Sequence, residues 1–184
     1  MTTPATRPSR RTLLLLPGVA ALTALTACAS EPSRSSPSPL RSTSDGDPQS
    51  AEPVSMTVYK DASCGCCSGW VTHVQDHGFA VTTQDVTNLA DVWQEHDIAL
   101  DLQSCHLAVT SDEHLFVGHV PVRHVREYLA DPPKGARGLS VPAMPVGTPG
   151  MEQGDQLDPY SVMLLTAGTP RVFAEVRTHA DQEV

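Results

Sequence analysis

The chain reads as an α/β fold with the thioredoxin-like element order β-α-β-α-β-β-α, extended at the C-terminus by a loop and a β-hairpin. Three observations predict it. A β-prone run, Val54 to Tyr59, leads into Cys64-Gly65-Cys66-Cys67, and that motif leads into a helix-like run, Ser68 to His77. Strand, CxxC, helix is the thioredoxin-type order. Downstream, apolar residues switch between alternation and helical spacing, and Gly, Pro and Asn fall at the switches.

Each element has its own signal. Val54 to Tyr59 alternates and is rich in β-formers, so it is the first strand. Trp70, Val71 and Val74 make one stripe of the first helix, and Gly78 stops it. Phe79 to Val86 is the second strand. Asn88 caps a second helix that carries Leu89, Val92 and Trp93 to about His96. Cys105 to Thr110 and His114 to Gly118 are the third and fourth strands, joined through Ser111-Asp112-Glu113. Pro121 sits at the start of a third helix, where its missing N–H does no harm, and the helix runs from Val122 to Leu129 before Pro132-Pro133 ends it. Leu139 to Glu152 is a loop punctuated by Pro and Gly. Tyr160 to Leu165 and Arg171 to Val176 pair across Ala167-Gly168-Thr169-Pro170 as the hairpin. Residues 178–184 are expected to fray. In this order the segment entering the third strand faces the CxxC turn, so Cys105 and His106 are expected close to Cys64, Cys66 and Cys67.

Residues 1–28 read as an export leader. Arg7, Arg10 and Arg11 precede an apolar stretch, Thr12 to Leu25, that is too short for a stop-transfer helix. Ser9 to Leu14 resembles a twin-arginine signal, while paired arginines also occur in ordinary leaders. Leu25-Thr26-Ala27-Cys28 resembles a lipobox, which makes Cys28 the expected acylated residue. Residues 29–53 are rich in Ser and Pro and poor in apolar side chains, so burial cannot offset the entropy of ordering them. They read as a disordered tether. Residues 54–177 are then one domain with a modest core, placed by the anchor on the extracytoplasmic face of a bacterial membrane.

The charge excludes some partners. The chain carries 12 basic and 21 acidic residues, a net charge of −9. Losing the leader's three arginines would take this to about −12, which argues against nucleic acid and against charge-driven binding to anionic lipid. Contact with a membrane is expected only through the lipid anchor. There is no phosphate-binding glycine loop, no G-x-S-x-G nucleophile and no defensible carboxylate pair.

The chemistry lies in the cysteines. Without Cys28 four remain, three of them within four residues. Thiols outside the cytoplasm are disulfide-bonded, kept reduced by a partner or held by a metal. Cys64–Cys67 is the feasible local disulfide, because adjacent Cys66 and Cys67 pair only with strain. A simple staple leaves the third thiol unexplained. Soft thiolates take Cu(I) or Zn(II), and iron–sulfur spacing is absent. Three sulfurs from one tight turn fit an ideal zinc tetrahedron poorly, whereas Cu(I) accepts two or three thiolates and shares bridging sulfurs, so copper is the first choice and zinc the second. Cys66 and Cys67 begin a helix, whose N-terminus favours thiolate.

Other soft donors surround the motif. His106 follows Cys105 directly and is the strongest histidine candidate. Met144 and Met151 lie in the Pro/Gly loop, where thioether would bind Cu(I) or simply fill a gap over the core. Met56 and Met163 read as core. His73 and His77 are four apart on the first helix, a spacing that can hold one metal, although the second falls near the apolar stripe and reads as structural. His119 stands near a helix start and is left open as cap or site residue.

Taken in order, Cys64-Gly65-Cys66-Cys67, Ser104-Cys105-His106, Gly118-His119-Val120-Pro121 and the Leu139–Glu152 loop resemble the CopG-like family of bacterial copper-resistance proteins, once labelled a domain of unknown function. The likeness covers about residues 54–177. Ala143 stands where many members have Gly. The resemblance implies a thioredoxin-like domain, extracytoplasmic copper handling, and Cys64, Cys66, Cys67 and Cys105 as the site thiols. Copper ions, and another envelope copper protein as donor or acceptor, are the expected partners. A thiol–disulfide oxidoreductase working through Cys64 and Cys67 is the rival reading, and a disulfide-stapled structural domain a third.

Overall fold

The computed structural model describes residues 52–184. The leader, Cys28 and the tether up to residue 51 lie outside the described residues. The described chain is α/β. Its elements are β1 (Ser55–Lys60), α1 (Gly65–Asp76), β2 (Ala80–Asp85), α2 (Leu89–Glu95), β3 (His106–Thr110), β4 (Leu115–Val117), α3 (Val122–Ala130), β5 (Ala136–Ser140), β6 (Tyr160–Thr166) and β7 (Arg171–Val176), with 3₁₀ turns at Leu100–Leu102 and His179–Asp181. Through α3 they follow one another in the order that periodicity suggests.

Seven strands make one sheet, in the order β2-β1-β3-β4-β5-β6-β7. β1 runs parallel to β2, and β4 to β5; the other neighbours are antiparallel. Alternation along the strands sorts side chains onto two faces. Met56, Val58, Ala108, Phe116 and Leu139 pack with Trp70, Val71 and Val74 of α1 and Val122, Val125 and Tyr128 of α3. Leu107, Leu115, Val117 and Leu165 point the other way, against Val92 and Trp93 of α2 and Leu102 of the first 3₁₀ turn. Both faces of the central strands are therefore covered, which is why β3 and β4 read as nearly continuous apolar runs.

Three features depart from the expectations. First, α1 begins at Gly65, ahead of the Ser68 to His77 run, so Cys66 and Cys67 lie in its first turn, as the sequence predicts for their thiols. Cys64 is the N-cap in extended backbone, its N–H donating to Asp61 O at 3.0 Å and its carbonyl accepting from Ser68 N at 3.3 Å. Second, β5 takes in Leu139 and Ser140, the first residues of the expected loop, and begins at Ala136, where no element was expected. Gly138 interrupts it, and a Cβ there would lie 1.8 Å from Leu115 O, so the two backbones can approach only because no side chain intervenes. Third, the last residues are tied down rather than frayed. Thr178 and Asp181 form a reciprocal cap, and buried Gln182 accepts from Tyr160 OH at 2.8 Å and donates to Gly147 O at 3.0 Å. No helix among the described residues is long and apolar enough to cross a membrane.

Candidate metal centre

Four cysteines meet at one end of the sheet. Cys64, Cys66 and Cys67 come from the cap and first turn of α1, and Cys105 from the residue before β3. Their sulfurs all lie within 4.8 Å of one another. Register explains the meeting. β1 pairs antiparallel with β3 so that Lys60 stands opposite His106, and this brings the chain leaving β1 beside the chain entering β3. A disulfide joins Cys64 to Cys67, and Cys66 and Cys105 are free thiols. Cys66 Sγ is 3.5 Å from Cys64 Sγ, within reach as a donor, and Cys67 Sγ lies 3.4 Å from Cys105 O.

Two imidazoles close the site from below. His106 and His119 are fully buried. Cys105 Sγ lies 3.1 Å from His119 Nε2 and 3.4 Å from His106 Nδ1. Cys105, His106 and His119 thus form a second set of ligand atoms within 4.8 Å of one another. His119 Nδ1 lies 2.7 Å from Pro149 O. A carbonyl only accepts, so Nδ1 carries the proton and the Nε2 lone pair faces the sulfur. His106 faces the Cys105 sulfur through Nδ1, while its Nε2 is buried with no hydrogen-bond partner.

Burial sets the charges. It pushes the Cys105 thiol up to about 12, and nearby Cys66 adds to the shift. It also pushes His106 well below the usual imidazole range, with His119 as the next cause. His119 is lowered too, mainly by burial, while its bond to Pro149 works the other way. At neutral pH the site therefore holds a protonated Cys105 between two neutral imidazoles. A soft cation entering there would displace the Cys105 proton and would meet no cationic ring. Beside it Lys60, itself buried, is paired with Asp85 at 3.1 Å.

The Pro/Gly loop supports this arrangement. A Cβ on Gly150 (φ +84°) would stand 2.5 Å from Trp70 N and 2.7 Å from Cys66 O, and one on Gly69 would stand 2.9 Å from Gly150 Cα. The loop backbone therefore lies directly on the first turns of α1, and this holds Pro149 O against His119. From the other side, Trp70 Nε1 donates to Val120 O at 2.9 Å. Met151 follows Gly150 and is half-buried; Met144 is half exposed. Ala143, next to Met144, accepts from Ser104 Oγ and donates to Gln103 O at 3.2 Å, which ties that end of the loop to the approach to Cys105. The chain beside Met151 thus lies on α1, and the chain beside Met144 lies on the approach to Cys105.

Elsewhere, His73 and His77 have other duties. Val122 N donates to His73 Nε2 at 3.3 Å, so His73 caps α3, and His77 Nδ1 donates to His73 O at 2.7 Å. His119 is the site residue that sequence left undecided. Only the turn from β4 into α3 brings it under Cys105.

Residues 102–151 match the family described as protein of unknown function, DUF411. No curated protein matches the chain. Copper resistance protein CopG, solved in two forms, is similar over most of the chain. Form 2 is 36% identical with a TM-score of 0.64, the likeness covering 68% of this chain and 100% of that one. Form 1 is 36% identical with a TM-score of 0.63, covering 68% and 98%.

Proposed function

The chain belongs to the family of copper resistance protein CopG, and from that premise we propose that it binds copper as cargo, holding Cu(I) on Cys64, Cys66, Cys67 and Cys105. The observation that carries this reading is the convergence of four cysteine sulfurs within 4.8 Å. The donor set fits the ion, since thiolates are soft and sulfur can bridge ions in a crowded cluster. Two nitrogens also face the Cys105 sulfur, His119 Nε2 at 3.1 Å and His106 Nδ1 at 3.4 Å, so the pocket is lined by further donors. Cys64 and Cys67 become ligands once a reductant, such as a dithiol protein, delivers two electrons and two protons to their disulfide. We place the domain in the thioredoxin-like class, on the β2-β1-β3-β4 strand order, with β1 and β2 parallel and a CxxC at the start of α1. With Cys28 acylated and residues 29–53 as a stalk, the domain stands on the extracytoplasmic face of the membrane and serves copper resistance or transfer to another envelope protein. Met144 and Met151 are the entry ligands, because thioether keeps its affinity for Cu(I) where thiols oxidise.

The test is titration of the reduced full chain with Cu(I) against a competing chelator. Tight binding is expected, weakened in Cys66→Ser and Cys105→Ser. Binding indifferent to both substitutions would defeat the reading.

One observation favours a second reading. A Cys64–Cys67 disulfide closed across the start of α1 has the arrangement of the oxidised form of a CxxC thiol–disulfide oxidoreductase. Disulfide-exchange activity that survives Cys66→Ser and Cys105→Ser would select it.

A further inference from the structure

Cys105 belongs to two ligand sets at once. On one side it faces the α1 sulfurs; on the other it faces His119 Nε2 at 3.1 Å and His106 Nδ1 at 3.4 Å. The two sides respond differently to the Cys64–Cys67 disulfide. Oxidation removes two sulfurs from the first set and none from the second. The imidazoles of the second set are held in place by their neighbours. Pro149 O fixes the His119 tautomer, Trp70 packs its ring on His106 at 4.6 Å between centroids, and the His106 and His119 rings meet edge to face at 5.0 Å.

We propose that Cys105, His106 and His119 form a nitrogen-rich lobe that binds a divalent first-row ion, Cu(II) as the oxidised form of the cargo, while Cys64 and Cys67 remain disulfide-bonded. This rests on copper as the cargo and adds the oxidation state that the disulfide-closed protein accepts. Two imidazoles and one thiolate make a borderline donor set that favours Cu(II) over the other divalent ions of its row. Four thiolates favour Cu(I) instead. The ion enters with release of the Cys105 proton, and the bond from His119 to Pro149 stays intact behind it. Since both lobes use Cys105, the state of the Cys64–Cys67 pair decides which set is complete.

Co(II) is the probe, because Cu(II) can take electrons from paired thiols and Co(II) does not. The protein is the full chain carrying Cys28→Ser and Cys66→Ser with the disulfide closed, which leaves Cys105 as its one thiol. Binding of one Co(II), with a thiolate-to-cobalt charge-transfer band, is expected. X-ray absorption of that complex should show one sulfur together with imidazole scattering. His119→Gln should weaken binding by about ten-fold or more, the scale of loss for an imidazole site whose support is removed, with far-UV dichroism and the disulfide unchanged. Absence of the thiolate band, a shell without imidazole, or equal affinity in folded His119→Gln would overturn the proposal. Titration of the reduced wild-type chain with Cu(I) separates the two readings. Cu(I) binding without Co(II) binding removes the nitrogen-rich lobe alone, and the reverse removes the sulfur cluster alone.

Discussion

The sulfur of Cys105 lies 3.1 Å from Nε2 of His119, and a hydrogen bond behind the ring gives that contact its direction. Because His119 Nδ1 donates to Pro149 O, Nε2 is an acceptor toward the thiol. The loop 147–152 therefore takes part in the site without supplying a ligand from Pro149.

Gly150→Ala tests that link. The added methyl would meet backbone atoms of Trp70 and Cys66 at 2.5 and 2.7 Å, and its φ of +84° is unfavourable for alanine. The loop must lift, taking Pro149 O from His119. Loss of an outer-shell partner of this kind costs about 10–100-fold in metal affinity. Competition titration of the variant should show such a loss, while Gly168→Ala, in open space, should bind as wild type.

Trp70→Phe should destabilise the domain by about 1–3 kcal/mol, the cost of leaving a buried carbonyl without its donor. Val120 O loses its 2.9 Å bond from Trp70 Nε1 in that variant. Urea unfolding measures it, and an unchanged midpoint would show that the bond is dispensable.

Acid should weaken the fold through its buried imidazoles. Burial, and then the charge of His77, lower His73 to about 4, against 6.5 when unfolded. The unfolded chain then binds more protons than the folded one, so stability is complete above about pH 6.5 and is lost as pH falls toward 4. For His73 the loss is on the order of 1–2 kcal/mol once screening at its exposed part is allowed for. His106 acts in the same direction. Denaturant unfolding between pH 7.5 and 4 should show this decline, shallower in His73→Gln, whose amide oxygen can still accept from Val122 N. A flat profile would contradict it.

Reducing Cys64–Cys67 frees a loop of sequence separation 3. A loop that short constrains the unfolded chain by only about 2 kcal/mol. The reduced, metal-free chain should melt lower than the oxidised one. Cu(I) should then restore or exceed the loss, since a ligand that binds only the folded state stabilises it in proportion to the logarithm of its concentration over Kd. Failure of Cu(I) to raise the melting temperature of the reduced chain would count against cargo binding there.

Much of this was legible in the residues. Alternation and helical spacing place β1, α2 and α3 within a residue or two, because each buries one clear face, and β3 is as well placed because it reads as a short apolar run bounded by turn residues. Asn88 was readable as a cap, and its side chain accepts from Ala90 N at 3.1 Å. β5 was not legible, since its mid-strand Gly138 serves a backbone approach that has no local sign. Gln182 reads as a polar tail residue because its partners, Tyr160 and Gly147, are remote in sequence. The approach of Cys105 to the CGCC turn follows only once the strands are arranged. The partnership of His119 with Pro149 depends on a loop that carries no periodicity at all.

X-ray absorption of the reduced full chain loaded with Cu(I) tests the convergence of Cys105 with the α1 cysteines most directly. A copper shell of sulfur that loses a sulfur in Cys105→Ser is the expected result. A shell dominated by nitrogen or oxygen, or one unaltered by Cys105→Ser, would contradict it.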